Sequence, residues 1–208
     1  MKKLLQFSLI LMVFACVSTK KPANDLDLYL SFLTGTFTNE AQISEEIAQG
    51  KQIHPKSKHI TGLVNDRILN LPQDFKGQYV IEESYYETLD KGPQIKHHLF
   101  LFSLTDQGKV NLRVQTPSDI ENKLLTNDNK TLKFDYLKLS DIKRFKSADY
   151  QKVKDGFYLK NKNDLGNGLA FTLEETIGKN KLEVMELLEK DGKSITSYTT
   201  PIQYLKLK

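Results

Sequence analysis

Cysteine is nearly absent from this 208-residue sequence, in which Cys16 is the only thiol. A single cysteine excludes an intramolecular disulfide framework. The sequence also has no Gly-x-Ser-x-Gly elbow and no glycine-rich phosphate loop, so neither a serine hydrolase nor a P-loop enzyme is indicated. No spacing of cysteine, histidine and carboxylate residues matches a zinc or iron site, and we therefore predict neither a metal nor a resident cofactor.

A long apolar run is also missing at the N-terminus. The run from Leu4 to Phe14 is too short to span a bilayer comfortably as a permanent helix. It follows two lysines and ends at "VFAC", which is the arrangement of a bacterial export signal with a lipobox. We therefore predict a signal peptide at residues 1–16, lipidation at Cys16, a tether at 17–24 and a place in the cell envelope, held to a membrane by acyl chains. Plain secretion and an uncleaved anchor are the alternatives.

A strong excess of charge is missing as well. The formal net charge is +4, and removal of the two lysines of the leader lowers it to +2. The remaining lysines are scattered among aspartates and glutamates, as on an ordinary solvated surface. We therefore predict no nucleic-acid partner.

What the sequence does contain is the content of one folded domain, with 39% hydrophobic and 10% aromatic residues. Capping residues, apolar spacing and terminal glycines indicate two short helices at residues 24–35 and 38–50. From residue 59 the apolar period changes to two, which predicts a mainly β domain at 25–208, an antiparallel sandwich or barrel. The segments with this alternation are 77–87, 95–104, 109–115, 131–139, 168–176, 182–189 and 194–200.

Two strand faces carry the candidate site residues. Period two places Glu83 on one face with Tyr79, Ile81 and Tyr85. If that face points inward, burial raises the pKa of Glu83, which then suits a general acid or a partner for a cationic ligand nitrogen. The alternatives are an outer face, or a pair with a lysine at the mouth.

On the next segment, Lys96 and His98 share a face with two phenylalanines, and Arg113 follows on the strand after it. Cations on an aromatic face suit a ligand carboxylate. The alternative is a polar outer face whose long side chains lie over the aromatic rings. The register of the strands decides which faces point inward, and the sequence leaves it open.

Three segments resemble the CpcT/CpeT chromophore lyase family. The first is "LTGTFTNEAQ" at 33–42, the second lies in "HITGLVNDRILNLPQDFKGQYVIEES" at 59–84, and the third is "IKHHLFLF" at 95–102. The residues that occupy family positions are Leu33, Gly35, Phe37, Asn39 and Gln42 in the first, His59, Ile60, Gly77, Tyr79 and Glu83 in the second, and Lys96, His98 and Phe100 in the third.

The resemblance implies a lipocalin-like (calycin-like) β-barrel with a pocket, and a lyase that attaches a bilin to a cysteine of an acceptor protein. In that interpretation Glu83 is catalytic and protonates the bilin, a linear tetrapyrrole. The ligand-binding residues are Tyr79, Tyr85, Lys96, His98 and Arg113. The rival hypothesis is a non-catalytic envelope lipoprotein with a filled interior, which works through contacts with another protein.

Overall fold

The computed structural model describes residues 24–88 and 92–208. The predicted signal peptide, Cys16 and the tether up to residue 23 lie outside the described residues. The described chain forms two α-helices and fifteen strands, joined by short 3-10 turns. The mainly β prediction with two N-terminal helices is confirmed.

The two helices lie close to their predicted positions. Helix α1 spans Asp25–Leu33, and the side chain of Asn24 caps it by accepting a hydrogen bond of 2.9 Å from the backbone N–H of Asp27. Helix α2 spans Glu40–Ala48. Neither described helix has the length and apolar character that crossing a membrane requires.

The strands are mostly short, but five of them exceed nine residues. In chain order they are β1 (Gly35–Thr38), β2 (Lys56–Leu63), β3 (Ile68–Leu69), β4 (Gln78–Thr88), β5 (Gly92–Leu104), β6 (Val110–Pro117), β7 (Phe134–Asp135), β8 (Leu139–Asp141), β9 (Ala148–Asp149), β10 (Gln151–Val153), β11 (Gly156–Gly166), β12 (Leu169–Gly178), β13 (Lys181–Lys190), β14 (Lys193–Ser194) and β15 (Ile202–Lys206).

Thirteen of these strands make one antiparallel sheet. Its order is β10-β11-β12-β13-β15-β1-β2-β4-β5-β6-β8, with β14 beside β13 and β9 beside β6. The segment 148–153 lies close to both ends of this order, because β10 is its first strand and pairs with β11, while β9 pairs with β6, the strand next to the other end. These two ladders have only two and three residue pairs respectively, and no closed hydrogen-bonded barrel is found in the described chain.

Each face of the curled sheet has its own apolar cluster. On the inner face, Tyr29 and the leucines of α1 pack among Phe102, Tyr150 and Phe157. On the outer face, Leu125 and Phe134 belong to an irregular layer, residues 64–75 and 118–139, which we call the cover. Strand β4 is therefore buried on both sides, and α1 fills one end of the interior.

Some segments differ from the sequence prediction. Residues 131–139 were expected to form one strand, but they form a turn, two-residue β7 and a 3-10 turn. Leu132, Phe134 and Tyr136 pack onto the sheet as part of the cover. The apolar alternation therefore comes from this packing and not from a hydrogen-bonded ladder. In place of the strand expected at 194–200, only the two-residue β14 forms. The long strand β11 was not predicted, because its sequence has no clear apolar alternation.

Candidate ligand pocket and its buried carboxylates

A pocket of about 290 Å³ lies inside the curled sheet. Most of its wall is apolar, and charged groups from four strands and one loop reach into it. The apolar lining is Phe100, Leu112, Val114, Phe145, Leu159, Leu165, Phe171, Leu173 and Val184. The polar lining is His59, Glu82, Lys96, His98, Arg144, Lys146, Asn161, Asn163 and Glu186.

The pairing register of β4 and β5 places several polar and charged side chains of the pocket next to one another. Glu82 lies opposite His98, and Ser84 lies opposite Lys96. Directly opposed residues of an antiparallel pair share a face, so all four point into the interior. The neighbouring strand β2 adds His59 to the same face, opposite Ser84.

Glu82 lies at the centre of this network of polar side chains. Its carboxylate accepts a hydrogen bond of 2.9 Å from the hydroxyl of Ser84 and lies 3.4 Å from Nδ1 of His59 and 3.7 Å from Nδ1 of His98. Burial would raise the pKa of Glu82, but the two histidines hold that pKa well below its usual range. Glu82 is therefore an ionised carboxylate in a mostly apolar pocket.

His59 links this network to the core of the sheet. Its Nε2 lies 2.9 Å from the hydroxyl of Tyr204, which also accepts a hydrogen bond of 3.0 Å from Ser57. Burial alone would lower the pKa of His59, but the adjacent Glu82 carboxylate outweighs that effect and raises it. The imidazole is thereby fixed in place by contacts on both ring nitrogens.

Two further carboxylates lie inside the sheet. Glu186 on β13 forms an ion pair of 3.3 Å with Lys96, whose ammonium group also lies 4.8 Å from the centre of the Tyr86 ring. Glu175 on β12 accepts a hydrogen bond of 2.9 Å from the hydroxyl of Tyr150 and lies nearer to α1. Burial raises the pKa of Glu175 to about 7, so this group is partly protonated at neutral pH.

The loop between β8 and β9 forms one side of the pocket mouth. It contributes Arg144, Phe145 and Lys146 to the lining. Two side-chain amides of β11 hold this loop: Asn163 accepts a hydrogen bond of 2.7 Å from the backbone N–H of Lys146, and Asn161 donates one of 3.1 Å to its carbonyl. We call this side-chain junction between the loop and β11 the seam.

Of the six predicted catalytic and ligand-binding residues, the structure brings two into the pocket. Lys96 and His98 line it, while Arg113 lies opposite Leu101 on the outer face. Arg113 forms an ion pair of 3.7 Å with Asp141 there. Tyr79 is also on the outer face, where it stacks on Phe75 of the cover with 5.5 Å between ring centres.

Glu83 has a structural environment outside the pocket. Its carboxylate accepts hydrogen bonds from the backbone N–H of Asn127 (2.7 Å), from the side-chain amide of Asn127 (2.9 Å) and from the hydroxyl of Tyr85 (2.9 Å). Gly62 leaves the room for this amide, since a Cβ there would lie 2.3 Å from Oδ1 of Asn127. The condition that the Glu83 face points inward is not met, and Glu83 instead fastens the cover to the sheet.

The sequence interpretation missed Glu82, Glu186 and the cations of the mouth. Glu82 follows the same period-two rule as Glu83 and shares its face with Val80 and Tyr86, which are buried as well. Because both faces of β4 are apolar, the alternation alone gave no preference between the two glutamates. The pairing of Glu82 with His98 was the missing information.

The first family-like segment has an architectural explanation in this structure. Asn39 is fully buried, donates a hydrogen bond of 2.8 Å to the carbonyl of Pro55 and accepts one of 2.8 Å from the N–H of Ser57. Gln42 accepts a hydrogen bond of 2.9 Å from the backbone N–H of Gln203. These amides join the first helices to β2 and to the last strand, and they lie outside the pocket lining.

No family model, curated protein or solved structure matches this chain. Within residues 24–88 and 92–208, no group of three or more histidine, cysteine, aspartate or glutamate side chains is arranged to hold a metal ion.

Proposed function

We propose that this protein is a membrane-tethered, CpcT/CpeT-like binding protein that holds a small amphipathic ligand with an acid group in the pocket of a lipocalin-like barrel. The observation that carries this proposal is an apolar pocket of about 290 Å³ into which Lys96 and His98 converge. Apolar walls with a few convergent polar groups are typical of small-molecule sites. A bilin is the ligand for which the family resemblance gives a precedent.

The polar groups of the pocket support an anionic ligand. Lys96 reaches the interior with its side chain 44% exposed, so its ammonium group is accessible to a ligand as well as to Glu186. Arg144 and Lys146 at the mouth form no ion pair with a carboxylate among the described side chains. An acid group in the pocket could therefore meet a cation at Lys96, at Arg144 or at Lys146.

The volume of the pocket supports a ligand of modest size, because it lies near the lower limit of small-molecule sites. Closure of the sheet into a barrel is part of the proposal, supported by the 148–153 segment that pairs with both β6 and β11. Tethering at Cys16 and a place in the cell envelope rest on the leader sequence.

The function that we propose is ligand binding. A lyase step that transfers the ligand to an acceptor protein has less support. Glu83, the acid that the resemblance implied, is turned away from the pocket. The carboxylates that a bound bilin would meet are Glu82 and Glu186. A thioether on an acceptor cysteine, detected by mass spectrometry after incubation with a bilin, would be needed to support catalysis.

A matched pair of lysine and arginine variants tests the binding proposal. We expect the mature protein to bind 8-anilinonaphthalene-1-sulfonate, an aromatic anion, at one site with a blue shift of its fluorescence. Lys96→Met removes a cation inside the pocket and is expected to weaken binding about tenfold, since hydrogen bonds to charged groups contribute about 1.5–3 kcal/mol. Arg113→Met removes a cation from the outer face of the adjacent strand and is expected to leave the Kd unchanged.

Equal effects of the two variants, or no binding by the unaltered protein, would contradict the proposal. Mass spectrometry of the protein purified from its native host provides a second measurement, because it reports both an acyl group on Cys16 and any ligand that copurifies. A bilin would also be visible as absorbance that stays with the protein.

The alternative is a non-catalytic envelope lipoprotein that contacts another protein. It is favoured by exposed apolar side chains on the cover, notably Leu137, which is 77% exposed, and Leu69, which is 51% exposed. This hypothesis predicts that charged substitutions at these two positions abolish copurification of a partner and leave probe binding intact.

A further inference from the structure

We infer that the ligand carries a hydroxyl group in addition to its acid group, and that Glu82 and His98 recognise this hydroxyl inside the pocket. The inference rests on the proposed binding function and specifies the class of ligand. It places a hydroxy-carboxylic acid with an apolar middle section in the pocket, its hydroxyl inward and its acid toward the mouth.

The Glu82 carboxylate can accept more hydrogen bonds than the described residues donate to it. One of its oxygens, Oε1, accepts a hydrogen bond of 2.9 Å from the hydroxyl of Ser84 and lies 3.7 Å from Nδ1 of His98. A carboxylate oxygen accepts about two hydrogen bonds. The separation of 3.7 Å exceeds a hydrogen bond, so the Ser84 hydroxyl is the one hydrogen-bond donor to Oε1 among the described residues, and Oε1 can accept a second.

His98 presents a second polar atom that lacks a partner. Its Nδ1 is buried and has no hydrogen-bond partner among the described residues. The ring is held by stacking on Phe100, with 5.4 Å between ring centres and an interplanar angle of 14°. Buried polar atoms without a partner are uncommon and costly, which makes Nδ1 a place where a polar group of a ligand is stabilised.

A hydroxyl is the ligand group that suits both Glu82 and His98. A hydroxyl is both a donor and an acceptor. It can donate to Oε1 of Glu82 and, at the same time, accept from Nδ1 of His98 when that nitrogen carries a proton. A second carboxylate placed there would instead be repelled by the ionised Glu82.

The exposure of the lining residues indicates the orientation of the ligand. Arg144 and Lys146 are exposed residues of the loop between β8 and β9, whereas the side chain of Glu82 is only 15% exposed and lies opposite His98. Apolar side chains such as Val114 and Leu173 complete the wall. The acid group is thus expected near the cations, and the hydroxyl near Glu82, with apolar contacts between them.

The test compares ω-hydroxy fatty acids with plain fatty acids of the same length, from eight to twelve carbons, by titration calorimetry with the mature protein. We expect the hydroxy acid of the best length to bind about tenfold more tightly than its plain counterpart, because a hydrogen bond to a charged group is gained. Glu82→Gln and, separately, His98→Phe are each expected to reduce this ratio to about twofold or less. Glu83→Gln, which changes the neighbouring glutamate on the outer face, is the matched control and is expected to keep the ratio.

The outcomes separate this inference from the binding proposal. Equal affinity for the two acids, or a ratio that survives both Glu82→Gln and His98→Phe in folded proteins, overturns the inference and leaves the pocket as a binding site for acids. Absence of binding by every acid overturns the proposed function as well. Circular dichroism of each variant establishes that it is folded.

Discussion

Two glutamates that are adjacent in the sequence of β4 have entirely different environments. Glu82 points into the pocket and faces two histidines, while Glu83 points outward and is held by Asn127. The sequence established that neighbouring side chains diverge and that Glu83 shares a face with Tyr79 and Tyr85. It left open which face lines the interior, because each face carries buried aromatic or aliphatic groups.

Glu175 provides a prediction for the pH dependence of stability. Its pKa is raised by burial to about 7, whereas in the unfolded chain it is about 4.3. The folded state therefore binds this proton more tightly, so stability is fully present below about pH 4.3 and falls as the pH rises through 7. We expect Glu175→Gln to match the unaltered protein at pH 4.5 and to exceed its free energy of unfolding at pH 8 by about 1–3 kcal/mol, measured by urea denaturation.

Glu174 is the matched control for this prediction. It lies on the other face of the same strand, where it forms an ion pair of 2.7 Å with Lys160 and accepts a hydrogen bond of 2.9 Å from Tyr158. The hydrogen bond from Lys160 lowers the pKa of Glu174, so Glu174→Gln is expected to lose a little stability at pH 8 or none. If Glu175→Gln were instead less stable at pH 8 than the unaltered protein, the carboxylate would have to be charged and favourably paired.

At the scale of elements, the sequence predicted the helices correctly but not the structure of the cover. The helices were predicted because caps and apolar spacing are local signals, as at Asn24 and the leucines of α1. The cover segment 131–139 was predicted as a strand because its apolar residues alternate, yet they pack on the sheet without a ladder of that length. Alternation reports burial of every second side chain, and it does not report a hydrogen-bonded partner.

Two neighbouring leucines test whether the cover is an integral layer of the fold. Leu125 is fully buried against the outer face of the sheet, and Leu124 is 43% exposed. We expect Leu125→Ala to lower the free energy of unfolding by about 2–4 kcal/mol, through lost burial and the cavity left behind. Leu124→Ala is expected to change it by less than about 1 kcal/mol.

The measurement is urea denaturation of both variants, combined with limited proteolysis of the region 118–133. A cover that detaches locally would give Leu125→Ala rapid cleavage in this region with little loss of global stability. Equal stability of the two variants, without such cleavage, would show that the cover contributes little to the fold.

At the scale of the whole molecule, the sheet joins the two ends of the described chain. Strand β1 lies between β2 and β15, with Phe37 opposite both His59 and Lys206. Hairpins such as β4–β5 were predictable from turn residues between alternating segments. The pairing of β1 with the last strand has no local signal, because residues about 170 positions apart are brought together only by the folded whole.

The seam adjoins the segment 148–153, which pairs with strands near both ends of the sheet order. There β9 and β10 contribute ladders of two and three residue pairs, and the side chain of Asn163, itself 3% exposed, supports the loop through Lys146. Short ladders and side-chain links open more easily than long hairpins. The strands β11, β12 and β13, with ladders of nine or ten pairs, are expected to be the slow-exchanging core.

Asn163→Ala tests this distribution of stability by hydrogen exchange and mass spectrometry. The substitution removes the acceptor for the backbone N–H of Lys146, and a lost hydrogen bond of about 1–2 kcal/mol corresponds to roughly tenfold faster exchange of the amides at 142–150. Exchange in β12 is expected to stay unchanged. The control Asn122→Ala changes an exposed asparagine in the cover, and we expect the amides at 142–150 in this variant to exchange at the rate of the unaltered protein. Uniform acceleration over the whole sheet would instead mean that the seam opens only when the entire domain unfolds, because local opening cannot expose amides on strands that keep their ladders.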